Sequence, residues 1–179
     1  TVISLVVVSL IFKQVYSPFG LLNLFLRALG MEGHPWLQDP LTALPAVMLM
    51  DVWAAVGYYM VIYLAGLQTI PAELYEAAAL DGSDGWRRHR HVTLPLLLPT
   101  TLFVVVINTI RSLQVFIEIF VMTQGGPLDS TRTTVFYLYE RAFRHNDMGY
   151  ASAIAYLLFL IILLASLAQT RLFKPKADA

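Results

Sequence analysis

Three long apolar blocks limit what this chain can fold into. Residues 41–67 hold one charge, Asp51. Residues 94–122 hold two, Arg111 and Glu118. Residues 151–172 hold one, Arg171, near the end. About 20 apolar residues cross the hydrocarbon core of a bilayer as a helix, so each block is long enough. With no water to satisfy backbone groups, such segments must be helices. Composition agrees: 58% of residues are hydrophobic and only 13% are charged, roughly half the usual charged share of a soluble domain. One soluble core cannot take up that much apolar surface without exposing large patches. The expected fold is an all-α integral membrane protein, a polytopic helical bundle with three full spans and one partial.

The partial span is residues 2–12, which are apolar but too few to cross. No basic stretch precedes them, so they do not read as a signal peptide. They read as the tail of a spanning helix whose beginning is missing, running to about Tyr16 and broken at Ser17-Pro18. Residues 19–30 carry apolar side chains at helical spacing and end in Gly, the pattern of a short interfacial helix. Residues 32–40, with two prolines and Trp36, read as a loop at the membrane surface. The second span covers 42–67. Pro71 opens a helix through Ala79, since Pro is favoured in a first turn. Gly82 and Gly85 interrupt it, and a second short helix should cover 86–92. Pro95 and Pro99 sit near the start of the third span, which ends at Gln124-Gly125-Gly126-Pro127. Residues 134–143 form an amphipathic helix, and the fourth span is 150–172, followed by Lys174 and Lys176.

Several function classes are excluded or left without support. There is no cysteine, so there are no disulfides. Net charge is zero, and nothing points to nucleic acid. His34, His89, His91 and His145 are scattered over different loops, so no metal set forms. No phosphate-cradling Gly-Lys-Ser/Thr loop exists, and no acid, base and nucleophile converge. The chain does not read as an enzyme and holds no cofactor of its own. Sidedness is only weakly marked. Arg87, Arg88, Arg90, Arg171, Lys174 and Lys176 fall on one side of the spans. Lys13, Arg27, Arg132, Arg141 and Arg144 fall on the other. The cluster in the loop favours a cytoplasmic placement.

Two polar features need an explanation. Within the third span, Asn108, Arg111, Ser112 and Val115 share one helical face at 100° per residue, with Gln114 and Glu118 beside it. An intramembrane Arg normally faces a bundle interior or a wet cavity. Asn108, Arg111 and Ser112, with Tyr58 and Tyr59 from the second span, would line a path for a hydroxyl-rich solute. The other reading is structural, with Arg111 paired to Glu118 or Asp51. Asp51, beside Trp53, reads as a hydrogen-bonded structural carboxylate rather than an ion relay. The second feature is the loop over residues 71–93, far longer than a turn requires and rich in charge. It reads as a surface made for another protein.

That loop resembles the signature of permease subunits of bacterial ABC importers. It reads Glu76-Ala77-Ala78, then Gly82, then Val92, then Leu94-Pro95, with the family's spacing intact. Leu64-Ala65-Gly66-Leu67-Gln68, Thr123-Gln124-Gly125-Gly126-Pro127, Tyr137-Leu138-Tyr139-Glu140 and Gly149-Tyr150-Ala151-Ser152-Ala153 are similar to the sugar and polyol branch, the maltose- or glycerol-phosphate-type subunits. Val92 stands where Ile is usual, Ser83 where Ala is frequent, and His89 where an aromatic is common.

The resemblance implies a six-helix core for the full protein, in a single permease domain over residues 1–179 that is incomplete at its N-terminus. It implies a multi-pass subunit of the bacterial cytoplasmic (inner) membrane, in contact with membrane lipid. The small-molecule solute would be a sugar, polyol or sugar phosphate. Partners would be a second permease subunit forming a heterodimer, two cytoplasmic ATPase subunits that bind ATP and Mg, and an extracytoplasmic solute-binding protein. Glu76, Ala77, Ala78, Asp81, Gly82, Trp86, Leu94 and Pro95 would couple to the ATPase, with Glu76 bracing the loop and Trp86 an anchor. Gly125, Gly126 and Pro127 would meet the binding protein. The alternative is an ion- or proton-coupled secondary transporter with Asp51, Arg111 and Glu118 as relay.

Overall fold

The structure is a computed structural model, and it describes residues 4–172. Lys174 and Lys176 lie outside the described residues, where the regular elements are all helical. Helix α1 covers Leu5–Val15, and after the Ser17-Pro18 break α2 covers Leu21–Ala28. The second span is α3, Ala43–Gln68. A limb of short helices comes next: α4, Ala72–Leu80; α5, Gly85–Arg88; a π-helical turn, His89–Thr93; and α6, Leu94–Leu96. Then come α7, Leu98–Leu113, and α8, Ile117–Met122. Helix α9, Thr134–Tyr139, runs into a second π turn, Glu140–Arg144, and α10 covers Met148–Leu172.

Three stretches are long and apolar enough to cross a membrane: Ala43–Gln68, Leu98–Met122 and Met148–Leu172. Only 6% of the most apolar window of α10 is buried inside the molecule. Side chains such as Leu157, Phe159, Ile161 and Leu164 point outward. Water would not tolerate such a surface, whereas lipid does.

The third span differs from the continuous helix expected over residues 94–122. It is two helices, with Gln114–Phe116 non-helical between them. The run Val115-Phe116-Ile117 is β-branched and aromatic, a weak helix former. The Val115 carbonyl accepts a hydrogen bond from Thr133 Oγ1 at 2.8 Å. Phe116 leaves helical geometry (φ −140°), stacks on Phe120 at 5.4 Å and meets Tyr139 at a tilt at 5.2 Å. Non-helical backbone at membrane depth survives where protein groups re-satisfy it in this way. Val115 therefore leaves the helical face assigned to it. The start of the span is also irregular. Pro99 lacks the N–H that would bond the Pro95 carbonyl, and the helix is interrupted at Leu97.

The chain divides into two compact units: residues up to Val56 with Ser112–Ile161, and Gly57–Arg111 with residues from Ile162 onward. In the first unit the core is Val8, Tyr16, Ala46, Val47, Met50, Ile119, Met122 and Phe136, so α1, α3, α8 and α9 share one apolar cluster. Lys13 Nζ donates to the Val121 carbonyl at 2.9 Å, supplying a cation to the C-terminal end of α8. Asn23, 1% exposed, holds the loop after α2. Its Nδ2 donates to the Ser17 and His34 carbonyls, and its Oδ1 accepts from the His34 N–H and Trp36 Nε1.

In the second unit, polar side chains tie the spans. Tyr59 Oη donates to Asn108 Oδ1 at 2.8 Å, and Gln169 Nε2 donates to Thr109 Oγ1 at 2.7 Å. Such interhelical bonds are typically worth about 0.6 kcal/mol in a membrane, up to about 2. Helices α3 and α7 approach closely at Gly66, where a Cβ would stand 2.6 Å from Thr100 Oγ1.

Candidate functional site

The limb between α3 and α7 is built from its own punctuation. Pro71 stands at the N-cap of α4, one place ahead of the first-turn position expected for it. The helix ends in a Schellman turn: the Ser83 N–H bonds the Ala78 carbonyl and the Gly82 N–H bonds the Ala79 carbonyl. Gly82 sits at φ +72°, a left-handed backbone that glycine adopts freely. Asp84 then caps α5, its Oδ1 accepting from the Arg87 N–H at 2.8 Å.

Glu76, Ala77 and Ala78 lie along α4 and Asp81 caps it. Glu76 is exposed and takes no hydrogen bond among the described residues, so it does not brace the limb. Bracing comes from Asp84, and from Tyr75 on α4 opposite Thr93 at 3.2 Å. Leu80 is 89% exposed and Trp86 73%. The Trp86 ring lies 5.9 Å from the His89 ring, tilted 32° to it. Charge is segregated: Glu73, Glu76, Asp81 and Asp84 come first, then Arg87, Arg88 and Arg90.

The residues proposed for a solute path divide. In the second unit Tyr58 and Tyr59 stack edge to face at 5.4 Å, and Tyr59 bonds Asn108. Arg111 lies one turn further on, exposed and without a hydrogen bond or ion pair inside that unit. This part can offer a phenol face, an amide and a guanidinium to a hydroxyl-rich solute. Ser112 is exposed in the last turn of α7 before the helix break and belongs to the other unit. Asp51 is half-buried on α3 and takes no hydrogen bond among the described residues, unlike the hydrogen-bonded carboxylate expected there.

The turn after α8 is bonded to itself. Thr131 Oγ1 donates to the Gly126 carbonyl at 2.8 Å and meets Thr123 Oγ1 at 2.7 Å. Gly125 is buried at φ +86° under the Phe136 ring. Gly126 and Pro127 are half-buried, and the exposed tip is Leu128, 90% exposed, with Asp129. Beyond it, Glu140 takes hydrogen bonds from Arg132 Nε at 2.8 Å and Arg144 Nη1 at 3.1 Å. Hydrogen bonds with Tyr150 and Arg141 hold the Tyr137 hydroxyl below its ordinary pKa.

The sequence reading missed Asn23, Tyr75 and Thr93. A lone Asn in an apolar helical run was the available signal for the first. The other two carry no local signal.

Membrane-length apolar helices with an exposed helical limb between two of them define a polytopic α-helical membrane protein. The chain belongs to the family described as binding-protein-dependent transport system inner membrane component, which matches residues 1–177. It is 39% identical over 176 residues to the probable ABC transporter permease protein YurN of Bacillus subtilis, covering 97% of this chain and 60% of that one. It is 39% identical over 171 residues to the lactose transport system permease protein LacF of Rhizobium radiobacter, covering 93% and 57%. The fold also matches a crystal structure of a bacterial alginate ABC transporter in complex with an alginate pentasaccharide-bound periplasmic protein. The TM-score is 0.87 at 25% identity, covering 97% of this chain and 61% of that chain. The chain thus spans about 60% of the length of the relatives it matches.

Proposed function

We propose that this chain is the translocating part of an ATP-driven importer of a sugar, polyol or sugar-phosphate-like solute in the bacterial inner membrane. The observation that carries the reading is the limb over residues 71–96. It holds its own shape through a Schellman turn, a capped short helix and a side-chain bond, yet leaves Leu80 and Trp86 exposed. A shaped but unburied apolar tip with segregated charge has the character of a docking knob. It would seat on a cytoplasmic ATPase through Glu76, Ala77, Ala78, Asp81, Gly82, Trp86, Leu94 and Pro95. ATP and Mg would sit on two such ATPases, and their closure would move the knob and the spans as near-rigid bodies.

The family description names a binding protein, and LacF is described as a lactose permease. These support an extracytoplasmic solute-binding protein as partner, with Gly125, Gly126 and Pro127 in the region that meets it. A second permease subunit would complete the pathway. Asn108, Arg111, Ser112, Tyr58 and Tyr59 would line it, offering planar amide, guanidinium and aromatic faces to hydroxyl groups. Residues 1–179 would act as one permease domain with residues 71–93 as its coupling loop. Family membership weighs against the ion-coupled carrier.

The test is a pull-down of the full-length protein from its native membrane, with mass spectrometry. Recovery of an ATPase and a second permease is the expected result. Gly82→Pro should lose the ATPase, because proline is held near φ −65° and Gly82 needs φ +72°. A protein that arrives alone and transports on an ion gradient would sink the reading.

A further inference from the structure

The start and the end of the limb are joined through a register shift that one proline imposes. Pro95 has no N–H, and in a regular helix its ring collides with the carbonyl four residues back, that of His91. The chain avoids this with the π turn His89–Thr93, in which the Leu94 N–H reaches the His89 carbonyl, five residues back. The additional residue rotates the helix before the turn by about 100° relative to the helix after it. Thr93 thereby faces inward, 6% exposed, between exposed His91 and Leu94.

Its Oγ1 lies 3.2 Å from Tyr75 Oη, across eighteen residues of chain. Tyr75 is one of the few half-buried residues of an otherwise exposed α4. Among the described residues, no other side-chain hydrogen bond joins α4 to the returning part of the limb. The Thr93 carbonyl also accepts the Leu97 N–H at 3.0 Å, so the same residue continues into the lead of α7. There α7 is pressed against α3 at Gly66 and Thr100.

We infer that Tyr75 and Thr93 form a latch that makes α4 and the lead-in to α7 one mechanical body. Displacement of the exposed tip then reaches the spans instead of bending the limb at Gly82. They are positioning residues: neither needs to touch the ATPase or the solute. The inference rests on the importer reading above.

The experiment uses the complete importer in liposomes, with solute moved per ATP hydrolysed as the readout. Tyr75→Phe and Thr93→Val should each keep the ATPase bound and hydrolysing. The ratio should fall roughly threefold to tenfold, the factor a lost side-chain hydrogen bond carries. Thr93→Ser, which keeps the hydroxyl, should restore the ratio, and the double variant should be no worse than either single one. An unchanged ratio in both single variants overturns the latch. So does a Thr93→Ser ratio as low as that of Thr93→Val, or outright loss of the ATPase, which would make these residues part of the docking face. If the unmodified protein retains no ATPase, the importer reading falls, and the latch with it.

Discussion

The turn over residues 124–133 and the limb over residues 71–96 are both polar connections between apolar helices, and they are built in opposite ways. The turn closes on itself. Thr123, Thr131 and Gly126 bond one another, Thr133 bonds the Val115 carbonyl, and Phe136 roofs Gly125. The limb has regular helices and correct caps, but its apolar tip is open. A connection whose groups are satisfied internally is finished by folding. One that spends helical order on an exposed surface is finished by a partner. Stability should therefore be concentrated at the closed connections, and partner retention at the open one.

The largest effect on stability should come from Asn23, in the same unit as the turn. Asn23→Leu removes four hydrogen bonds and leaves half-buried donors of His34 and Trp36 and carbonyls of Ser17 and His34 without partners. The expected cost is roughly 3 kcal/mol. Thermal unfolding in detergent measures it, and a shift within error would show that the loop is held by something else.

The two left-handed glycines give a matched pair. At Gly125, φ is +86° and a Cβ would stand 2.8 Å from Phe136 Cε1. Gly125→Ala should cost roughly 2–3 kcal/mol, strain and overpacking together. At Gly82, φ is +72° with nothing within 4 Å. Gly82→Ala should cost only about 1 kcal/mol, the backbone strain alone. Equal costs at the two sites would break the contrast between a closed and an open connection.

Much of this was legible in the sequence, and the division is physical. Hydropathy placed the spans because the bilayer imposes a length and leaves the backbone no other partner. Pro71 and Gly82 marked α4 because capping and left-handed geometry are local. The break at Gln114–Phe116 was hidden, because it depends on Thr133, eighteen residues away from Val115. Gly125-Gly126-Pro127 drew attention as a contact surface, yet Gly125 is under a ring and Leu128 forms the tip. The pairing of Tyr75 with Thr93 was out of reach of a regular 100° wheel, since the π turn before Pro95 shifts the register.

The smallest effect on stability, and the sharpest use of the comparison, belongs to Trp86. It is 73% exposed, and His89 is its only ring neighbour among the described residues. Trp86→Ala should leave unfolding within about 0.5 kcal/mol of the unmodified chain, as exposed substitutions usually do. Retention of the ATPase should nevertheless fall by on the order of thirtyfold, what about 2 kcal/mol at an aromatic hot spot amounts to. A Trp86→Ala protein that is destabilised but still holds its ATPase would reverse the assignment. The limb would then be a closed connection like the turn, and the exposed tryptophan would be supporting the fold rather than meeting a partner.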